Sequence, residues 1–140
     1  DEGVDTGEIL DQFEIVLNTD ETATTLYERV NHAHVELIEQ IWPKLIKGSL
    51  VGIKQDETLA TYWDGRTPED GELCKSMSVL EVDRLVRATT RPYPGAFLIL
   101  DVIYKLIIWE GSTQPIQDSK IINFIDGSYY ALDFEIVLIQ

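Results

Sequence analysis

The sequence predicts a mixed fold, α/β or α+β, in which an opening strand and a long helix lead through a connector to a second helix and a small antiparallel β unit. Three observations carry this. Leu26, Val30, Ala33, Leu37, Ile38, Ile41, Leu45 and Ile46 recur three or four apart, the spacing that lays one apolar stripe along a helix. Residues 49–75 then bring Gly, Pro, Asp and Thr together in turn-forming combinations. Beyond residue 95, segments rich in Ile, Leu, Tyr and Phe alternate with short turns, which is the composition of paired strands.

Taken in order, residues 8–18 (EILDQFEIVLN) read as a strand, because Phe13, Ile15 and Leu17 recur with a period of two. TDETATT follows with the oxygens that accept unpaired N–H groups at a helix start, and its early acids suit the helix dipole. The helix runs for about 25 residues. Pro43 kinks it or starts a new turn, and Lys44, Lys47 and Gly48 close it. The connector at 49–75 is too long for an idle loop, so it is expected to lie along a surface, anchored by Leu59, Tyr62 and Trp63. Ser78-Val-Leu-Glu81 has the spacing of a capping box. It starts a second helix reaching about Thr90, with Leu80, Val82, Leu85 and Val86 as its apolar side, and RPYPGAF breaks that helix. AFLILDV, YKLIIWEG, KIINFID and SYYALDFEIVLIQ are the strands, and DGS at 126–128 is the clearest turn between them. Boundaries fall at 1–48, 49–75 and 76–140.

The charge balance narrows the partners. Twenty-five acidic residues oppose 11 basic ones, for a net charge of −14. Such a surface repels phosphate backbones and anionic membranes unless its basic residues cluster, and no basic cluster is visible. Cys74 is the only cysteine, so no internal disulfide forms and a reducing, cytoplasmic compartment is expected. No apolar run has the roughly 18 residues of a membrane span. Nor is a signal peptide visible. Met77 is the only methionine, so the chain lacks an initiator Met.

Several residues invite functional readings that their spacing does not favour. His32 and His34 stand two apart, about 200° around a helix, whereas metal-binding helical pairs use i, i+4. Cys74 has only Lys75 as a basic neighbour, which favours packing over nucleophilic chemistry. Arg66, Arg87 and Arg91 have the forked geometry that clamps phosphate, yet Glu69, Asp70 and Glu81 are close in sequence and ion pairing with them is the preferred reading. Trp42, Trp63 and Trp109 are assigned to core or interface.

Three segments in order carry a family resemblance. DEGVDTGEIL with ETATTLYERV, then QDETLATYW with RTPEDGEL, then LVRATTRPYPGAFLIL with KLIIWEG together resemble the 10-formyltetrahydrofolate-dependent formyltransferases. The resemblance implies that residues 1–48 are the end of a Rossmann-like catalytic domain, 49–75 its connector and 76–140 the small α+β C-terminal domain. The family's triad is an Asn, a His and an Asp, the Asp in a Leu/Val-Asp-Thr/Gly-Gly loop, and Asp5 in VDTG matches that loop. Glu2, Gly3, Val4 and Asp5 would then wall the pterin pocket of 10-formyltetrahydrofolate, and no metal is implied. The Asn-x-His-Pro segment that supplies the other two residues is absent, so the chain is expected to begin within a catalytic domain. The Asp-Gly-x-Ile-x-Trp pattern of many relatives is also not matched near Cys74.

Within the family, the sequence favours enzymes that formylate the amine of a nucleotide-linked amino sugar, acting as a homodimer. Methionyl-tRNA formyltransferase is the alternative. From Ala96 to Gln140 only Lys105 and Lys120 face Asp101, Glu110, Asp118, Asp126, Asp133 and Glu135, a poor balance for a tRNA-binding surface. The last strands resemble the β-hairpin end of the sugar enzymes, whose exposed edges suit dimerisation. A non-catalytic fragment that only dimerises or binds is the third reading.

Overall fold

The computed structural model describes residues 3–139, which divide by contacts into two units. One holds the described residues to Leu17 with Tyr27–Gly65, and the other holds Asn18–Leu26 with the described residues from Arg66 onward.

Helix α1 spans Ala23–Ile46, as the apolar spacing predicts. Its start is made by two threonines, with the Glu21 carboxylate accepting from the Thr25 hydroxyl. Thr25 N–H donates to Thr22 Oγ1 at 3.2 Å, and Thr22 N–H donates to Thr25 Oγ1 at 3.0 Å, which satisfies donors the first turn leaves unpaired. Pro43 is held inside the helix, near its end. There Gly48 takes φ +63°, the left-handed conformation that costs glycine little. Gly48 N–H donates to the Leu45 carbonyl at 3.0 Å and Ser49 N–H to the Lys44 carbonyl at 2.9 Å, closing the last turn.

Within the first unit, Ala33 and Ile41 are buried and Val30 and Leu37 half-buried, so the apolar stripe exists. Val35, Ile38, Trp42, Leu45 and Ile46 remain exposed. The expected strand at 8–18 does not form. Only Ile9 pairs, antiparallel with Ile53, through hydrogen bonds of 2.9 and 2.8 Å. Alternation records a propensity for extended backbone, but a strand needs a ladder along its length, and the described residues offer one here only at Ile9. The expected apolar anchors are also corrected: Leu59, Tyr62 and Trp63 are all strongly exposed. This part of the connector is held by backbone pairing and by the short 3₁₀ turn Glu57–Leu59. Asp56 caps that turn by accepting from Thr58 N–H at 3.0 Å. The Thr58 hydroxyl bond holds the Asp56 carboxyl below its ordinary pKa.

The second unit contains the better core. Helix α2, Val79–Thr89, starts at the expected capping box: Ser78 Oγ accepts from Glu81 N–H at 3.3 Å and Glu81 Oε2 accepts from Ser78 N–H at 2.8 Å. Strands β1 (Ala96–Ile99), β2 (Tyr104–Ser112), β3 (Lys120–Phe124) and β4 (Gly127–Leu138) form one antiparallel sheet in the order β1-β2-β4-β3. Val82 and Val86 of α2 join Leu98, Leu106, Ile108, Ile122, Phe124 and Tyr129 in one apolar cluster. Leu80, expected on this face, is exposed, since position 80 lies outside the 82–86 stripe.

Two features tie the sheet to its surroundings. The β3–β4 turn at Ile125–Asp126 aims the Asp126 carboxylate at α2, where Oδ1 accepts from Val79 N–H at 2.8 Å. On the far side, Leu73 N–H donates to the Phe97 carbonyl at 2.6 Å, so the connector covers part of the β1 edge. Glycine is required where the sheet is crowded. A β-carbon on Gly95, at φ +91°, would meet Ile107 Cγ2 at 2.7 Å, and one on Gly111 would meet the Tyr129 ring at 2.5 Å.

Tyr129 is fully buried and its hydroxyl has no hydrogen-bond partner among the described residues. Burial, with the charges of Asp83 and Glu110, pushes its pKa far above the ordinary 10. The unfolded chain therefore ionises first. The contribution of Tyr129 is complete below about pH 10 and is lost as pH rises toward the raised folded value. Tyr129→Phe is expected to stabilise the unit by about 1 kcal/mol, because an unpaired buried hydroxyl costs roughly that much. It is also expected to remove the alkaline loss. Melting temperatures of both proteins between about pH 8 and 11 read this; a less stable Phe variant would show that the hydroxyl is paired.

Candidate active site

Asp5 sits in a tight turn. It takes φ +58°, a left-handed conformation that Asp and Asn adopt more readily than other non-glycine residues. Gly3 makes room for this turn, since a β-carbon there would collide with Thr6 Oγ1. Gly3, Val4 and Asp5 are all exposed, Val4 at 87%, so the turn presents both its backbone and the Asp5 carboxylate. Three of the four expected pocket residues, Gly3, Val4 and Asp5, thus lie in this exposed turn. Glu2, the fourth, lies outside the described residues, as do Asp1 and Gln140.

A residue that sequence reasoning passed over holds this turn. Gln55 Nε2 donates to the Asp5 carbonyl at 2.9 Å and to the Gly7 carbonyl at 2.6 Å. The bonds link positions 50 and 48 residues apart. No periodicity announces such a contact; the only signal was that Gln55 opens the QDETLATYW segment of the resemblance.

His32 and His34 are exposed on α1, and His32 borders a shallow depression of about 190 Å³ with Phe13, Arg29 and Glu36. Among the described residues no group of three His, Cys, Asp or Glu side chains is arranged to hold a metal ion. Cys74 is exposed rather than packed, a correction of the packing assignment. It follows directly on buried Leu73, and its Sγ lies 3.0 Å from Ser76 Oγ. That hydroxyl lowers the thiol pKa from its ordinary value.

The arginines do form ion pairs, but with partly different acids. Arg66 pairs with Asp70 at 3.4 Å as expected, Arg87 with Asp83 at 2.9 Å, and Arg91 with Asp133. The spacing from Asp83 to Arg87 is i, i+4, which puts both on one helix face. Arg91 also lies over the Trp109 ring, 4.3 Å from its centroid. Of the three tryptophans, Trp109 is half-buried in the sheet, while Trp42 and Trp63 are exposed and belong to no core among the described residues.

Comparison with known proteins supports a formyltransferase relationship. Residues 66–133 match the family described as "Formyl transferase, C-terminal domain". The helix and antiparallel sheet of the second unit are consistent with that domain, as the sequence led one to expect. Among solved structures, the chain is similar to methionyl-tRNA formyltransferase from Clostridium thermocellum, with 26% identity and a TM-score of 0.66. The alignment covers 99% of this chain and 53% of that one, so the chain spans about half the length of the structure it matches.

Proposed function

We propose that this chain is part of an N-formyltransferase that moves a formyl group from 10-formyltetrahydrofolate to the amine of a nucleotide-linked amino sugar. The observation that carries the reading is the pairing, in one chain, of the formyltransferase C-terminal domain match at 66–133 with the exposed Asp5 turn upstream of it. Attack of an amine on a formyl carbon builds a tetrahedral oxyanion, and the nitrogen must give up a proton. Asp5 takes that proton directly or through water, or supports a charged imidazole that stabilises the oxyanion. The exposed backbone of Gly3, Val4 and Asp5 would meet the polar edge of the pterin. The Asn and His that complete such a site are not in this chain's motifs. The exposed apolar residues of the first unit suit packing against the rest of a catalytic domain.

The acceptor is argued from charge. The second unit has seven basic residues, Arg66, Lys75, Arg84, Arg87, Arg91, Lys105 and Lys120. Three are in ion pairs, and Lys75, Lys105 and Lys120 lie over the rings of Phe124, Phe97 and Phe134. That leaves Arg84 without an ion pair or ring contact of this kind among the described residues, against the several phosphate contacts a tRNA surface makes. A second reading, methionyl-tRNA formyltransferase, is favoured by the name of the solved relative. A homodimer, formed along a strand edge such as β3 with its exposed Ile121, belongs to the first reading. So does a cytoplasmic location; among the described residues no helix is long and apolar enough to cross a membrane.

The test is to give the full-length protein 10-formyltetrahydrofolate with either a panel of nucleotide-linked amino sugars or methionyl initiator tRNA, and to follow the formylated product by mass. Formylation of a sugar amine, with no salt-sensitive tRNA complex, is expected. Formylated methionyl-tRNA would transfer the assignment to the second reading.

A further inference from the structure

Two short segments of the first unit run alongside each other. Ile9 and Ile53 exchange both backbone hydrogen bonds, at 2.9 and 2.8 Å. Beside this pair, a β-carbon on Gly52 would meet the Glu8 side chain at 2.5 Å, so Gly52 leaves room for Glu8. Beyond Ile53 the pairing continues through a side chain: Gln55 Nε2 places its two N–H donors on the carbonyls of Asp5 and Gly7. A primary amide supplies two donors on one nitrogen, and these two acceptors use both of them.

The bonds fall on a backbone that needs support. Asp5 stands at φ +58°, which costs a non-glycine residue conformational energy unless its surroundings fix it. The Asp5 turn is otherwise exposed, so apolar packing does not fix it. The Gln55 amide bridges the carbonyl of Asp5 and that of the residue two further on, and so fixes the direction in which the Asp5 side chain leaves the turn.

We propose that Gln55 is a positioning residue for Asp5: the connector holds the turn carrying the proton-accepting carboxylate through the Gln55 side-chain amide, next to the Ile9–Ile53 pairing. The inference rests on the formyltransferase reading. Gln55 itself touches no reacting atom; it acts by keeping the carboxylate where the amine proton is lost. Its loss therefore falls on kcat more than on KM, because the interaction it protects is made in the transition state.

The experiment compares Gln55→Leu, Gln55→Glu and Asp5→Asn with the natural full-length protein. It measures steady-state kinetics with the accepted amine and amide hydrogen exchange at residues 5–8. Gln55→Leu is expected to lower kcat between about tenfold and a hundredfold, the range that follows from misplacing a reacting group by about an ångström. KM is expected to change little, and exchange at Thr6, Gly7 and Glu8 to quicken. Gln55→Glu keeps the size but presents a carboxylate to two carbonyl oxygens. Its kcat relative to the natural protein is expected to rise as pH falls, because the protonated acid regains one O–H donor.

Unchanged exchange in Gln55→Leu would overturn the proposal. So would quickened exchange with unchanged kcat, or a Gln55→Glu ratio that is flat with pH, which also decides the matter if the Leu variant does not fold. Failure of the underlying reading looks different: Asp5→Asn would keep full turnover while exchange in Gln55→Leu still quickened, leaving a structural clamp with no catalytic carboxylate to position.

Discussion

Asp5→Asn in the full-length protein is expected to cut kcat for formyl transfer by about a thousandfold, within the range contributed by a positioned acid or base. The substitution isolates the carboxylate. Asn is nearly the same size and also tolerates the left-handed backbone found at this position, so the turn survives. Both Gln55 bonds to the turn are made to main-chain carbonyls and not to the Asp5 side chain, so they survive too. What disappears is the negative charge that, in the proposed mechanism, takes the amine's proton or supports a charged imidazole. Circular dichroism and the melting temperature are expected to match those of the natural protein, which separates loss of chemistry from loss of fold. Turnover within about tenfold of the natural enzyme would remove Asp5 from the mechanism.

The largest effect on stability is expected from Leu106→Ala. Leu106 is fully buried in β2, in the apolar cluster under α2. Its truncation removes about three methylene-sized groups and leaves a cavity the sheet cannot collapse into, at a cost of about 3 kcal/mol. For a unit of this size that corresponds to a fall in melting temperature of roughly 12–24 °C. The built-in control is Ile136, its register partner on β4, which is about half exposed. Ile136→Ala is expected to cost less than about half as much. Calorimetry of both variants checks the pair, and equal losses would show that α2 does not discriminate between the two positions.

Reading the sequence worked where a feature is local. Helix α1 was legible because the stripe from Leu26 to Ile41 repeats over several turns. Helix α2 was legible because Ser78 and Glu81 cap each other within four residues. The strands after Gly95 were legible because each has a neighbour close in sequence to pair with. The misreadings share an opposite origin. Residues 8–18 alternate like a strand but pair only at Ile9, and Trp63 and Tyr62 look like anchors but project outward. Partner identity is not encoded in a residue's own neighbourhood. The same holds for the proposed site: VDTG singles out Asp5 in the sequence, whereas Gln55 is hidden because its two bonds run to carbonyls about fifty positions earlier. Arg91 reached Asp133 instead of a nearby acid for the same reason, since the fold brings β4 beside the loop after α2.

The Asp126 carboxylate bound to the Val79 amide has a kinetic meaning. The Ser78 and Glu81 part of the N-terminal capping of α2 is local, but the bond that Val79 N–H donates to Asp126 needs the β3–β4 turn, 47 positions downstream, to be closed and docked. A nascent helix of 11 residues is marginal by itself. The hairpin turn is therefore also a clasp of the helix, and the exchange protection of helix and hairpin is expected to rise together.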